Sequence, residues 1–374
     1  MRFEVIFLYL YDIGRSVNTA AIARELQRKT TKAGDKRAIG RRLDTPESLQ
    51  LPSSLTVELG QHTLDPASPH SGGFSFVNLC ARIYDEGVIT VECRAELNIQ
   101  LEELHTIRSR TMEIESVPTT MDMLAERHSR ILKQGMAKHI KQDQFYITDQ
   151  ASEDYHVFCL LDRVADPKAF LEEHRDYLAS FLLGENPDIR LHHSQVEGTL
   201  KTPFSFTDHD VAIFDMDRAF IIDPDQDYDD LLLIIEHANY QLLELRTLDR
   251  LLDRLLDDAE HDVRQKNSHW RGLSQKLGKL QPLRLDTLFI LENLENSSRI
   301  IGDYYLEQIY GHLCATFNTQ GWKRNVERRI EILQSIYTIA KTDANDRTMF
   351  LLELLVVLMI GIEIIALFLP ALSH

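Results

Sequence analysis

Nine aspartates fall within 23 residues near the middle of the chain: Asp208, Asp210, Asp215, Asp217, Asp223, Asp225, Asp227, Asp229 and Asp230. Inside that stretch DPDQDYDD, residues 223–230, alternates carboxylates in a way that suits a hard divalent cation. Asp223, Asp225 and Asp227 are its candidate metal ligands, and metal-dependent hydrolysis is the chemistry they would support. The run lacks the glycine and the later glutamate of an EF-hand. A competing reading needs no metal: Asp229 or Asp230 caps a long helix, and the neighbouring carboxylates favour its positive end. His192, His193, His209 and His237 form no HExxH or Cys/His cluster. No GxGxxG, GxxxxGK[ST] or GxSxG occurs, and no cofactor is called for.

Two further groups of charges stand out. Between Arg24 and Arg42 eight basic residues meet two acidic ones, with Arg28, Lys29, Lys32, Lys36, Arg37, Arg41 and Arg42 the candidate contacts to RNA phosphate or anionic lipid. Glu353 and Glu363 are the two charges in an apolar run, MFLLELLVVLMIGIEIIALFL, at residues 349–369. The run matches the roughly 20 residues that cross a bilayer core. The two glutamates lie roughly 80° apart around a helix. Glu363 favours helix–helix association, and Gly361 permits close approach.

The elements that carry these residues change character along the chain. Residues 1–225 read as a mixed α/β domain. Phe3, Val5 and Phe7 alternate as in a half-buried strand. Residues 74–84 and 88–94 read as a hairpin joined by Asp85-Glu86-Gly87. Residues 46–73, rich in Pro, Ser and Gly, read mainly as loop, and 97–110, 121–141 and 167–183 as helices. From residue 229 the pattern is helical. Ile235, Ala238, Leu242, Leu245, Leu252, Leu256, Ala259 and Val263 step by threes and fours, as do Val326, Ile330, Leu333, Tyr337 and Ala340. The expected architecture is an α+β N-terminal domain over 1–225, an antiparallel three-helix bundle or coiled coil over 229–346, and one transmembrane helix over 349–369.

The net charge of −17 argues against nucleic-acid binding by the surface as a whole. Cys80, Cys93, Cys159 and Cys314 form no CxxC and read as free thiols. The N-terminus has no signal-peptide pattern. Lys341 and Arg347 precede the apolar run and no basic residue follows it, which places the preceding domains in the cytoplasm.

The helical half resembles the YagE-like family named for being required for meiotic nuclear division. FDMDRAFIID with LLLIIEHANYQLLELRTLDRLLD, ENLENSSRIIGDYYLEQIY, WKRNVERRIEILQSIY and LELLVVLMIGIEIIALFL, over about residues 215–369, carry the likeness. It implies a membrane-anchored, homo-oligomeric protein without established catalysis, here a single-pass protein of a bacterial inner membrane. The expected function is a scaffold that holds a partner, such as the translation machinery, at the membrane. The alternatives are a cation channel whose pore Glu363 lines, and a metal-dependent hydrolase using the 208–230 aspartates.

Overall fold

A computed structural model describes residues 1–33, 54–142, 151–186, 188–264, 285, 287, 292 and 303–368. The described residues divide into two compact units, Met1–Thr247 with Asn293–Trp322, and Leu248–Glu292 with Lys323–His374.

The first unit is built on a seven-stranded sheet. Its strands are β1 (Arg2–Asp12), β3 (Ser54–Thr63), β4 (Phe74–Tyr84), β5 (Val88–Asn98), β9 (Ser152–Leu160), β10 (Val211–Phe214) and β11 (Arg218–Ile222), in the order β10-β11-β9-β1-β5-β4-β3. Neighbours run antiparallel except β11 and β9, which are parallel. Short strands β2 (Ser16–Val17) and β8 (Ile140–Lys141) pair with each other, as do β6 (Met112–Ile114) and β7 (Val117–Thr119).

Strand β1 is central, and its sequence shows why. Phe3, Val5, Phe7, Tyr9 and Tyr11 enter one core while Ile6, Leu8 and Leu10 enter the other, so both faces are covered. On the first face lie a 3₁₀ helix (Leu101–Ser109), α2 (Met121–Gly135) and α4 (Arg175–Leu182), through Leu104, Ile107, Leu124 and Leu178. The second core contains the start of α6 (Asp229–Arg264) and α7 (Tyr304–Thr316), through Leu232, Ile235, Leu242, Leu306, Ile309 and Leu313. Smaller helices are α1 (Thr19–Ala33), α3 (Pro167–Glu173) and α5 (His193–Thr199).

The β4–β5 hairpin lies where its turn signal puts it, and Gly87 is indispensable to it. Its φ is +92°, and a Cβ there would stand 1.8 Å from the Gly14 carbonyl oxygen. That approach lets Gly87 accept from the Ile13 amide at 2.9 Å, while Thr19 Oγ1 donates to Asp85 Oδ1 at 2.6 Å. Sequence reading assigns 46–73 to loop, yet Ser54–Thr63 is an edge strand with a bulge between Glu58 and Gly60. Its strand pairing satisfies the backbone despite a weakly apolar sequence. The expected helix over 167–183 is split at His174 into α3 and α4.

The second unit contains the end of α6 and most of α8 (Thr319–Phe368). Leu252, Leu255, Ala259, Val326, Ile330, Leu333 and Tyr337 are buried there, and Arg329 Nε pairs with Asp249 at 2.7 Å.

The transmembrane helix is corrected. No helix among the described residues is long and apolar enough to cross a membrane. The anchor, the tail-anchored class and the single-pass inner-membrane location fall with it.

Candidate functional site

The most heavily charged interior of the first unit lies between one sheet face and α6. Residues that alternate along a strand share a face, and register places Thr56 of β3, Arg82 of β4, Thr90 of β5, Leu10 of β1 and Glu153 of β9 in one cross-strand row. Tyr84 stands two residues along from Arg82, and Glu92 and Arg94 follow Thr90 on the same face. Above them α6 presents Glu236, Tyr240 and Glu244 at helical spacing of four, which makes one stripe.

Arg82 is the hub. Its Nη2 lies 2.5 Å from Glu92 Oε2 and 2.5 Å from Glu236 Oε2. Glu92 Oε1 accepts from Arg94 Nε at 2.5 Å, and Arg94 Nη2 donates to Asp229 Oδ1 at 2.8 Å. Tyr84 donates its hydroxyl proton to Glu236 Oε1 at 2.7 Å. Glu236 is 0% exposed, so these contacts replace the water it has lost. Burial alone would push the Glu92 carboxyl up, but the Arg82 and Arg94 guanidiniums overcome that and hold it down at about 2. Nearby, the Tyr228 hydroxyl donates to Glu4.

Toward the β4–β5 turn the balance of charge reverses. Burial, then the neighbouring acids Asp12 and Glu86, push Glu244 well above the usual carboxylate range. Burial also raises Glu86, with a smaller contribution from Asp85. Arg246 Nη1 donates to Glu153 Oε2 at 2.5 Å, and its guanidinium lies 5.5 Å from the Trp322 ring centre. Thr56 Oγ1, Arg82 Nε, Glu86 Oε2, Thr90 Oγ1 and Glu153 Oε1 are buried atoms without a hydrogen-bond partner.

On the opposite face His156 is buried between Phe7 and Tyr9, edge-on to both. Burial, then Arg108 and Arg218, lower it to about 3, so it is neutral at ordinary pH. Burial likewise raises the Cys93 thiol well above its ordinary range, which makes it a poor nucleophile.

The residues singled out from sequence lie elsewhere. Asp223 accepts the amides of Asp225 and Asp227 through Oδ1 and Oδ2, each at 3.0 Å, so the alternating aspartates form a turn leading into α6. Among the described residues no group of three or more His, Cys, Asp or Glu is arranged to hold a metal ion. Arg28, Lys29 and Lys32 belong to α1, while Lys36, Arg37, Arg41 and Arg42 lie outside the described residues. Glu353 and Glu363 are exposed on α8, and Gly361 is half-buried there. His237 is stacked on Tyr240 and Tyr310 and lowered to about 4 by burial.

Sequence reasoning missed the Arg82 network, although a signal is present. Arg82 and Tyr84 alternate with Ala81 and Ile83, as do Thr90, Glu92 and Arg94 with Val91, Cys93 and Ala95. That reads as a solvated face until α6 is known to lie over it, and EHANYQ, with buried Glu236, is the counterpart.

The fold and its charged interior define a mixed α/β protein with a three-layer first unit. The chain belongs to the family described as "Uncharacterized protein MJ0711, N-terminal domain", whose model matches residues 2–229. A relative is the "Uncharacterized protein MJ0711" of Methanocaldococcus jannaschii, 27% identical over 221 residues, covering 59% of this chain and 67% of the relative. No solved structure matches. These findings overturn the resemblance to the YagE-like family, which they do not indicate. That likeness lay in amphipathic helices, where heptad spacing recurs in unrelated proteins. The matched family spans every strand of the sheet and stops at Asp229, the first residue of α6.

Proposed function

We propose that the protein is a non-catalytic scaffold that assembles with copies of itself. The observation that carries this is the end of α8. Its large apolar side chains are exposed around the whole helix, Phe350 at 65% and Val357 at 68% among them, from Met349 to Ile362. A helix apolar on every side needs cover on every side. One partner helix shields one stripe, so the assembly contains three or more copies. The first unit contributes a rigid body to each copy, held by the Arg82 network.

The partner contact in this reading is the basic stretch of α1 and the residues that follow it. Eight basic residues against two acidic ones suit the phosphates of RNA. The assembly is tested by light scattering on the full chain, with Leu354→Lys/Val357→Lys as the dissociating variant. A monomer in the wild type, or entry of the wild-type monomer into phospholipid vesicles, overturns it. The contact is tested by replacing Arg28, Lys29, Arg41 and Arg42 with Ser, which should weaken RNA binding and flatten its salt dependence. Unchanged binding removes RNA from the proposal and leaves the assembly standing.

A further inference from the structure

We propose that the acidic end of the seam between the sheet and α6 binds a small organic cation of the polyamine class, with Glu244, Glu86 and Glu153 receiving its ammonium groups. Three independent features support the assignment.

The first is charge. Glu244 is bordered by Asp12 and Glu86, and among the described residues no basic group acts on it. Glu153 is tied to Arg246 through one oxygen only. Carboxylates therefore outnumber guanidiniums here. At the Arg82 end, by contrast, Glu92, Glu236 and Asp229 each touch a guanidinium.

The second feature is the unmet hydrogen bonding. The Glu153 side chain is 10% exposed, and its Oε1 has no partner. Thr90 is 0% exposed, and its Oγ1 has none either. Both belong to the row that crosses Leu10, so register places them on the same face as Asp12, two residues further along β1. Glu86 Oε2 adds a third unmet acceptor at the turn. An ammonium donates three hydrogen bonds and accepts none, which suits carboxylate and hydroxyl oxygens.

The third feature is spacing. A metal ion needs its ligands gathered around one point, and no group of three or more His, Cys, Asp or Glu among the described residues is so gathered. The acids are spread along the seam instead. The row that holds Glu153 and the strand residues two positions further along stand about 6.6 Å apart. Separate ammonium groups joined by methylenes fit such a spread, and their chain can lie against Tyr84 and Tyr240, whose rings are 5.3 Å apart. Glu244 and Glu86 are half-buried, which leaves this end open to entry.

The test is calorimetric titration of the full chain with spermidine and with Mg²⁺, in 150 mM NaCl to screen the surface charge. Spermidine should bind saturably at one site per chain. Glu244→Gln and Glu153→Gln should each weaken it at least tenfold, with unchanged far-ultraviolet circular dichroism. Asp225→Asn, on the exposed turn, should leave it unchanged. The proposal fails if spermidine does not bind, or if all three variants bind like the wild type, which would mean diffuse attraction to an acidic surface. It also fails if Mg²⁺ binds the same site as tightly, with the same losses.

Discussion

The sheet–α6 seam and the end of α8 invert the usual arrangement in opposite ways. The seam buries charge, and the α8 end exposes apolar side chains. Arg82 and Glu236 are enclosed, but each finds its counter-charge within the same unit. Among the described residues the Met349–Ile362 side chains find nothing comparable. The seam draws its stabilisation from within its unit, whereas in the proposed assembly the α8 end draws it from other copies of the chain.

The comparison can be broken at the seam first. Arg82→Met leaves Glu92 and Glu236 buried without their shared cation, and should cost about 3–5 kcal/mol in urea unfolding. Adding Glu92→Leu and Glu236→Leu should recover most of that loss, since a packed apolar replacement needs no counter-charge. A small loss for Arg82→Met alone would mean that the seam is solvated.

Acid probes the same network. The folded Glu92 carboxyl sits at about 2, below its ordinary 4.5. The stability it contributes is therefore full above about pH 4.5 and is lost as pH falls toward 2. The loss should be roughly 3 kcal/mol, read from urea midpoints across that window. It should vanish in the apolar triple variant.

Glu244 has the opposite sign. Its folded carboxyl is raised, so ionising it costs stability as pH climbs above 4.5. Glu244→Gln should raise Tm more at pH 8 than at pH 5, by differential scanning fluorimetry. A larger gain at pH 5 would place Glu244 beside a cation.

The smallest expected effect on folding comes from the other region. Leu354→Lys/Val357→Lys should change the urea stability of the first unit by less than about 0.5 kcal/mol, because exposed positions tolerate substitution. Its effect on assembly should be complete.

Much of the sheet is legible in the sequence. The Asp85–Gly87 turn signal places the β4–β5 hairpin, while the alternation of Phe3, Val5 and Phe7 reads as a half-buried strand although β1 is covered on both faces. Strand β3 is not legible, because SLTVELGQHT gains its place from hydrogen bonding to β4 rather than from its own pattern. The heptad positions Leu252, Ala259, Val326, Ile330, Leu333 and Tyr337 are buried as their spacing implies. The candidate site was the least legible part. Arg82 and Glu236 are 154 positions apart, and neither shows locally that the other exists. The aspartates that looked most like chemistry serve a turn instead, since a short side chain satisfies local amides as readily as it binds a cation. The apolar run at 349–369 was read as a bilayer length, yet length does not distinguish lipid from protein as its cover.

Light scattering coupled to size-exclusion chromatography on the full chain, wild type beside Leu354→Lys/Val357→Lys, tests self-assembly most directly. The wild type should elute at three or more times 43.2 kDa, and the variant as a monomer with the same circular dichroism. A wild-type mass of 43.2 kDa, or a variant that keeps the wild-type mass, would contradict assembly through the end of α8.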